Sequence, residues 1–376
     1  MLIRAMRQMA ARPSARALLR RDLRRAAFKF LIRRDHAHTV AAAFAGREAN
    51  MSDIEAFILS HPVRISAPLV LISQAQRSGG TLLSQLFDGH PALAAHPQEL
   101  KIGFPTEKDW PPLDPLLGAD RNLEMIYEMN TIMLMKRGYT KGDRDPDRRR
   151  FFLVPQLHYR LFQKLFETEP PKNGREILDY YFTAYFNAWL NFQGRLHDKD
   201  WITAFVPRLA HHEASVAGFF STYPDGRLIQ VIRDPWSWYP SARQNQKSGL
   251  ANKAPDEILA MWCATADSIL RNKAKYGRKV IVLRFQDLVG ATETTMRLLA
   301  SELGIAYQAI LAEPTFNGES IRANSSFAVE GSGVIEAPLA RDRILTQEER
   351  RLIEQRCHIL HEKVLSTALV VSGGTE

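Results

Sequence analysis

The chain has 376 residues, 45% of them hydrophobic, and a formal net charge of +9. That length supports one large α/β domain with additions, or two domains. Two cysteines, Cys263 and Cys357, are too few for a disulfide framework and fit a reducing compartment, and no apolar run is long enough to predict a membrane-spanning helix.

The charge is concentrated at one end. Residues 1–34 hold eleven Arg and Lys against a single acid, Asp22, so the rest of the chain is close to neutral. Arginines interrupt every apolar run there, which argues against a secretory signal. Leu19, Leu23, Ala27 and Leu31 recur at helical spacing. The segment reads as a basic amphipathic helix for an anionic membrane surface, as an organelle transit peptide, or as an arm solvated or packed on the protein itself. No aromatic interleaving supports nucleic-acid binding. Residues 1–50 are read as a helical extension.

A short helix is predicted over 53–60, and Pro68-Leu-Val-Leu-Ile72 reads as a buried strand. Next come Gln76-Arg77-Ser78-Gly79-Gly80-Thr81 and a helical pattern at Leu82, Leu83, Leu86 and Phe87. A strand, a tight glycine turn and a helix start form an anion cradle. Helix-start N–H groups point at the ligand, glycines let the backbone approach it, and hydroxyls of Ser78 and Thr81 add donors. The loop lacks the Lys-Ser/Thr pair of a nucleoside triphosphatase. Its cation is Arg77.

A second short strand is expected over 92–95, a proline-rich surface loop over 103–118, and a helix over 123–136. Residues 138–150 read as a polar, mobile loop. Helices follow over 154–167 and 176–192, the second with an aromatic stripe read as core. Strands are expected at 201–206, 227–233 and 279–285, with helices at 210–223, from 236 onward, at 292–303 and at 345–369, before a frayed tail. Strands alternating with helices predict an α/β fold, a P-loop-like central parallel sheet with helices on both faces. The domain limits expected are 1–50 for the extension, 66–330 for the α/β domain and 331–376 for a C-terminal helical tail packed on the core.

Arg233 stands at the carboxyl end of the strand that precedes Asp234-Pro235, and Ser241 lies eight residues later, about two helical turns on. Ligands bind at that edge of open α/β sheets. An Arg and a Ser there suit a phosphate.

Together the two segments resemble the family of sulfotransferases that depend on 3′-phosphoadenosine 5′-phosphosulfate (PAPS), in its bacterial and tyrosylprotein-type branch. Gln76-Arg-Ser-Gly-Gly-Thr-Leu-Leu83 is similar to the family's 5′-phosphosulfate loop, and Arg233 with Ser241 to its 3′-phosphate motif. The spacing to Val280-Ile-Val-Leu-Arg-Phe-Gln-Asp-Leu288 also fits, and Pro314–Gly318 with Asn324-Ser325-Ser326 is similar to a closing segment. The resemblance implies that Arg77, Ser78, Gly79, Gly80, Thr81, Leu82, Arg233 and Ser241 bind PAPS and release PAP, with Arg77 meeting charge on the leaving oxygen. It implies Glu99 as the base for an acceptor hydroxyl, with His96 as the alternative, and no metal. His90, before Pro91, reads as structural. Two departures from the family stand out. Phe205-Val206-Pro207-Arg208 takes the place of a Lys-Thr-Pro strand end, and Gly80 that of a threonine.

The expected activity is sulfuryl transfer from PAPS to a hydroxyl of a glycan or glycolipid, by a cytoplasmic enzyme held peripherally on an anionic membrane by residues 1–34. A P-loop kinase and an inactive membrane-binding scaffold are the alternatives. The histidine pairs His36/His38 and His211/His212, and Cys357-His358 with His361, lack a completed metal-ligand set.

Overall fold

The computed structural model describes residues 51–106, 108–126, 131, 134, 138–139, 151–244, 252–321, 333–334 and 336–370. The basic segment 1–50, the polar loop 140–150, the Asn324-Ser325-Ser326 part of the closing segment and the tail after 370 lie outside the described residues. The chain divides into two compact units. Of the described residues, the first holds those from 51 to 66, from 101 to 138 and from 151 to 192; the second holds those from 67 to 100, Tyr139 and those from Gln193 onward.

Along the chain, α1 (Met51–Ser60) belongs to the first unit, and β1 (Leu69–Ile72), α2 (Gly80–Phe87) and β2 (Leu93–Glu99) to the second. The first unit resumes with α3 (Gly118–Ile126), α4 (Pro155–Thr168) and α5 (Gly174–Ala188). The rest is second-unit structure: β3 (Trp201–Phe205), α6 (Glu213–Thr222), β4 (Arg227–Ile232), α7 (Pro235–Arg243), α8 (Pro255–Tyr276), β5 (Val280–Arg284), α9 (Phe285–Gly290) and α10 (Thr292–Leu303). A small hairpin, β6 (Thr315–Phe316) and β7 (Glu319–Ser320), a 3-10 segment (Ala337–Ile344) and α11 (Gln347–Leu365) complete it.

In the first unit the aromatic stripe is core, as predicted. Tyr181, Phe182, Tyr185, Phe186 and Trp189 are all buried, and His158 of α4 packs edge-on against Tyr181 and Tyr185. The polar residues of α5 recur at intervals of four and so share one face. Asp179 accepts from the Ser66 hydroxyl, Thr183 accepts from the Ile65 N–H, and Asn187 binds both backbone groups of Val63. That face anchors the extended strap 63–66.

The second unit is built on a five-stranded sheet, ordered β2-β3-β1-β4-β5, with every pair parallel. The central strand β1 is buried at all four positions, as expected of a parallel strand covered on both faces. β1 lies between β3 and β4, so their carboxyl ends open side by side at one edge of the sheet. Two elements beside the candidate site differ from expectation. Helix α2 begins at Gly80, so the loop's second glycine is already helical. β2 runs past Ala95 to Glu99 despite Pro97, because it is an edge strand with a register irregularity between those residues, where a missing N–H is tolerated.

The two cysteines are both free thiols, with sulfurs 3.9 Å apart between α8 and α11. Among the described residues no helix is long and apolar enough to cross a membrane.

Candidate active site

The site is assembled at the carboxyl ends of β1 and β4. After β1 the loop is pinned to its neighbours. Ser73 Oγ accepts from the Ala210 N–H at 2.9 Å, and the Gln74 carbonyl accepts from the Arg208 N–H at 3.0 Å. Arg77 and Gly79 both take left-handed backbone angles, φ 69° and 91°. Residues of that hand within a tight turn bring successive N–H groups to one concave side, and a non-glycine residue held there is a mark of functional sites. The outward carbonyls are taken up by the β4–α7 segment. Gln76 O accepts from the Trp238 indole at 2.9 Å, and Arg77 O from Arg233 Nη1 at 3.3 Å.

Gly79 and Gly80 are glycines for different reasons. Gly79 is left-handed, and a Cβ on it would also press on Phe285 at 2.7 Å. Gly80 has no such backbone need. A Cβ there would run into the Gln74 carboxamide and lie 2.5 Å from the ring of Phe205. The two departures noted in the sequence are therefore one feature. The Phe205 ring and the Gln74 amide fill the space that a side chain at position 80 would take.

Arg77, Arg233 and Ser241 come together in the fold, and Arg341, which lies in no motif, joins them. Arg77 Nε donates to Ser241 Oγ at 3.3 Å, and Arg341 Nη1, from the 3-10 segment, donates to the same oxygen at 2.9 Å. Ser241 is fully buried. With both lone pairs engaged by guanidiniums, its own O–H is left to donate to a ligand. No local signal marks Arg341, since it meets Ser241 across 100 residues of chain.

Arg233 is held in place by a relay. Its Nε donates to Ser237 Oγ at 2.9 Å, and that hydroxyl donates to Asp234. Asp234 also caps α7 through the Ser237 N–H at 2.7 Å and accepts from Gln286, just beyond β5. The guanidinium lies 4.5 Å from the centre of the Phe285 ring. Trp262 donates to the Arg233 carbonyl at 2.8 Å.

The electrostatics follow from that crowding. Burial, then the nearby Arg341, lowers Arg233 to about 9, with Asp234 opposing and Arg77 adding to the fall. Arg341 is lowered to about 10 by burial and by Arg77, and burial lowers Arg77 as well. Three neighbouring cations, with Asp234 opposing the fall only at Arg233, form a site suited to a multiply charged anion.

Glu99 ends β2 at the same sheet edge, half-buried and in register with Phe205. His96 lies three residues earlier, inside the strand and 1% exposed. Its Nδ1 is 2.9 Å from the Gln98 carbonyl, which places its proton there, and burial lowers its pKa to about 4. Ser78 is buried, Thr81 and Leu82 are half-buried, and with Gly79 and Gly80 they form the loop and first turn of α2. His90 is structural, as read: Nε2 lies 2.9 Å from Ala306 O, and Nδ1 accepts from the Ala92 N–H. Among the described residues no cluster of His, Cys, Asp or Glu is placed to hold a metal.

A parallel sheet with a glycine turn after its central strand, beside a strand-end arginine and a buried serine, defines a P-loop-like α/β fold with a candidate anion site at its carboxyl edge. The sulfotransferase family model matches residues 68–309, and the chain belongs to that family. Among solved structures it is similar to the sulfotransferase domain of the Synechococcus PCC 7002 olefin synthase, with TM-score 0.50 and 15% identity over 77% of this chain and 95% of that one. It is also similar to the sulfotransferase domain of the curacin biosynthetic pathway, with TM-score 0.45 and 14% identity over 82% and 100%. A sulfotransferase from Alicyclobacillus acidocaldarius gives TM-score 0.41 and 13% identity over 80% and 97%. No curated protein matches the chain.

Proposed function

We propose that this sulfotransferase takes its sulfuryl group from PAPS and passes it to an acceptor hydroxyl. The observation that carries the reading is the meeting of Arg77 and Arg341 on buried Ser241, with Arg233 beside them reaching the Arg77 carbonyl. The donor set fits two anionic groups of one nucleotide. The loop N–H groups, Ser78 and Thr81 suit the 5′ end, and Arg233, Ser241 and Arg341 suit the 3′-phosphate. Bound PAPS would supply an activated sulfuryl group on a good leaving group.

In this reading Glu99 takes the acceptor's proton as the new O–S bond forms. Arg77 meets the charge that develops on the bridging oxygen as the old bond breaks. Glu99 is preferred to His96 because it ends the strand half-exposed, whereas His96 is enclosed within it. The acceptor class we propose is a glycan or glycolipid, and the location a cytoplasmic membrane surface engaged by residues 1–34. Their support is the density of cations in that segment.

The test is calorimetric titration with PAP and labelled transfer from PAPS to panels of lipid, glycan and phenol acceptors. Arg77→Ala and Arg233→Ala are each expected to weaken PAP at least tenfold, about the worth of a charged hydrogen bond. Glu99→Gln is expected to lower turnover about a hundredfold or more with PAP affinity kept. A chain that binds no PAP and transfers no label overturns the reading, and unchanged turnover in Glu99→Gln moves the base to His96.

A further inference from the structure

Gln74 follows β1 at the floor of the cradle. Its side chain is fully buried, and neither end of its carboxamide has a hydrogen-bond partner among the described residues. Burying a polar amide without partners costs about 1–3 kcal/mol, so such a group calls for an explanation. Its position supplies one. The amide nitrogen occupies the space beside Gly80 into which a Cβ would project, at the first residue of α2, where helix N–H groups are open to an anion. The Phe205 ring closes the other side of that space.

We infer that Gln74 is an anion-binding residue of this site, its amide N–H donating to an oxygen of the 5′-phosphosulfate and standing in for the hydroxyl that Gly80 lacks. The assignment of the anion rests on the function proposed above; that of the donor rests on the geometry. A carboxamide is neutral, so it adds a donor without adding a fourth cation to a cluster that already holds three. It reaches the cradle from the strand side and not from the helix, so it does not depend on the helix start for its position. The bare position at Gly80 is what admits it.

The experiment compares the full-length chain with Gln74→Met, which keeps the volume and removes the donor, and with Gln74→Glu, which places an acceptor there. Titration with PAPS is expected to show about tenfold weaker binding for Gln74→Met, the scale of one hydrogen bond to a charged group, and a greater loss for Gln74→Glu. Without nucleotide, Gln74→Met is expected to melt at or above the wild-type temperature, because the unpartnered amide is gone. Unchanged PAPS affinity in Gln74→Met overturns the inference. So does a lowered melting temperature without nucleotide, since that marks a structural amide. Pyrophosphate separates this inference from the functional reading. A wild-type chain that ignores PAPS yet is stabilised by pyrophosphate only when Gln74 is intact keeps the donor and loses the nucleotide, and a chain stabilised by neither overturns both.

Discussion

Ser237 shows how much of this site is decided by a single hydroxyl. It accepts from Arg233 and donates to Asp234, so one side chain transmits the carboxylate's hold to the guanidinium. Arg233 Nε is thereby committed to the protein. Nη1 reaches the Arg77 carbonyl at 3.3 Å, the long end of a hydrogen bond, where a phosphate oxygen can compete for it. Ser237→Ala is expected to weaken PAP about tenfold, the scale of a hydrogen bond to a charged group, while Ser237→Thr restores it. Isothermal calorimetry on the two variants checks this, and equal affinities in both would show that Arg233 needs no such support. The relay joins residues at the ends of β4 and β5, and only the Arg233 end of it carries a sequence signal. Arg233 and Ser241 were legible because a strand end and a helical repeat fix where they point. Arg341 was not, because it meets Ser241 across 100 residues of chain, and the roles of Gln286 and Gln74, although both stand in patterned runs, depend on partners that only the folded sheet brings near.

At the scale of elements, the unit β1–loop–α2 is specified almost entirely by its own residues. The apolar run demands a buried strand, Gly79 supplies the left-handed turn, and Leu83 and Leu86 supply the buried face of α2. What its own residues specify only in part is the need for Gly80, which comes from the Gln74 amide within the loop and from Phe205 on the adjoining strand. Gly80→Ala is therefore a stringent test. Alanine favours helix over glycine by about 1 kcal/mol, so on propensity alone the change would stabilise α2. The clash with Gln74 and Phe205 predicts the opposite, a net loss of about 1–3 kcal/mol from overpacking. Urea unfolding decides the sign, and a stabilised Gly80→Ala would mean that the ring and the amide yield readily. The limits of β2 illustrate a different failure of local reading. Proline within Leu93–Glu99 argues against strand, yet an edge strand needs no N–H on its open side. That extension is what carries Glu99 to the carboxyl edge of the sheet.

At the scale of the whole molecule, the second unit combines buried cations with buried neutral histidines, and this sets its response to acid. His96 is lowered to about 4 by burial, and His90 and His361 are also lowered, chiefly by burial. An unfolded histidine takes up a proton near pH 6.5, whereas folded His96 refuses it until about pH 4. Between those values the unfolded chain binds more protons than the folded one, so stability falls as the pH is lowered. His96 alone contributes a loss of about 2 kcal/mol between pH 7 and pH 5. His90 and His361 add to it in the same direction. His96→Asn retains a donor for the Gln98 carbonyl and removes the titration, so its stability is expected to depend on pH less steeply by that amount. Urea melts of the two proteins at pH 7 and pH 5 measure the difference, and parallel losses would show that His96 is not held neutral. The same burial bears on catalysis. If Glu99 is the base, the pH–rate profile has no inflection at the ordinary histidine value, and His96→Asn turns over PAPS at close to the wild-type rate at pH 7. A turnover lost in His96→Asn with folding intact would place the proton transfer within the strand instead of at its end.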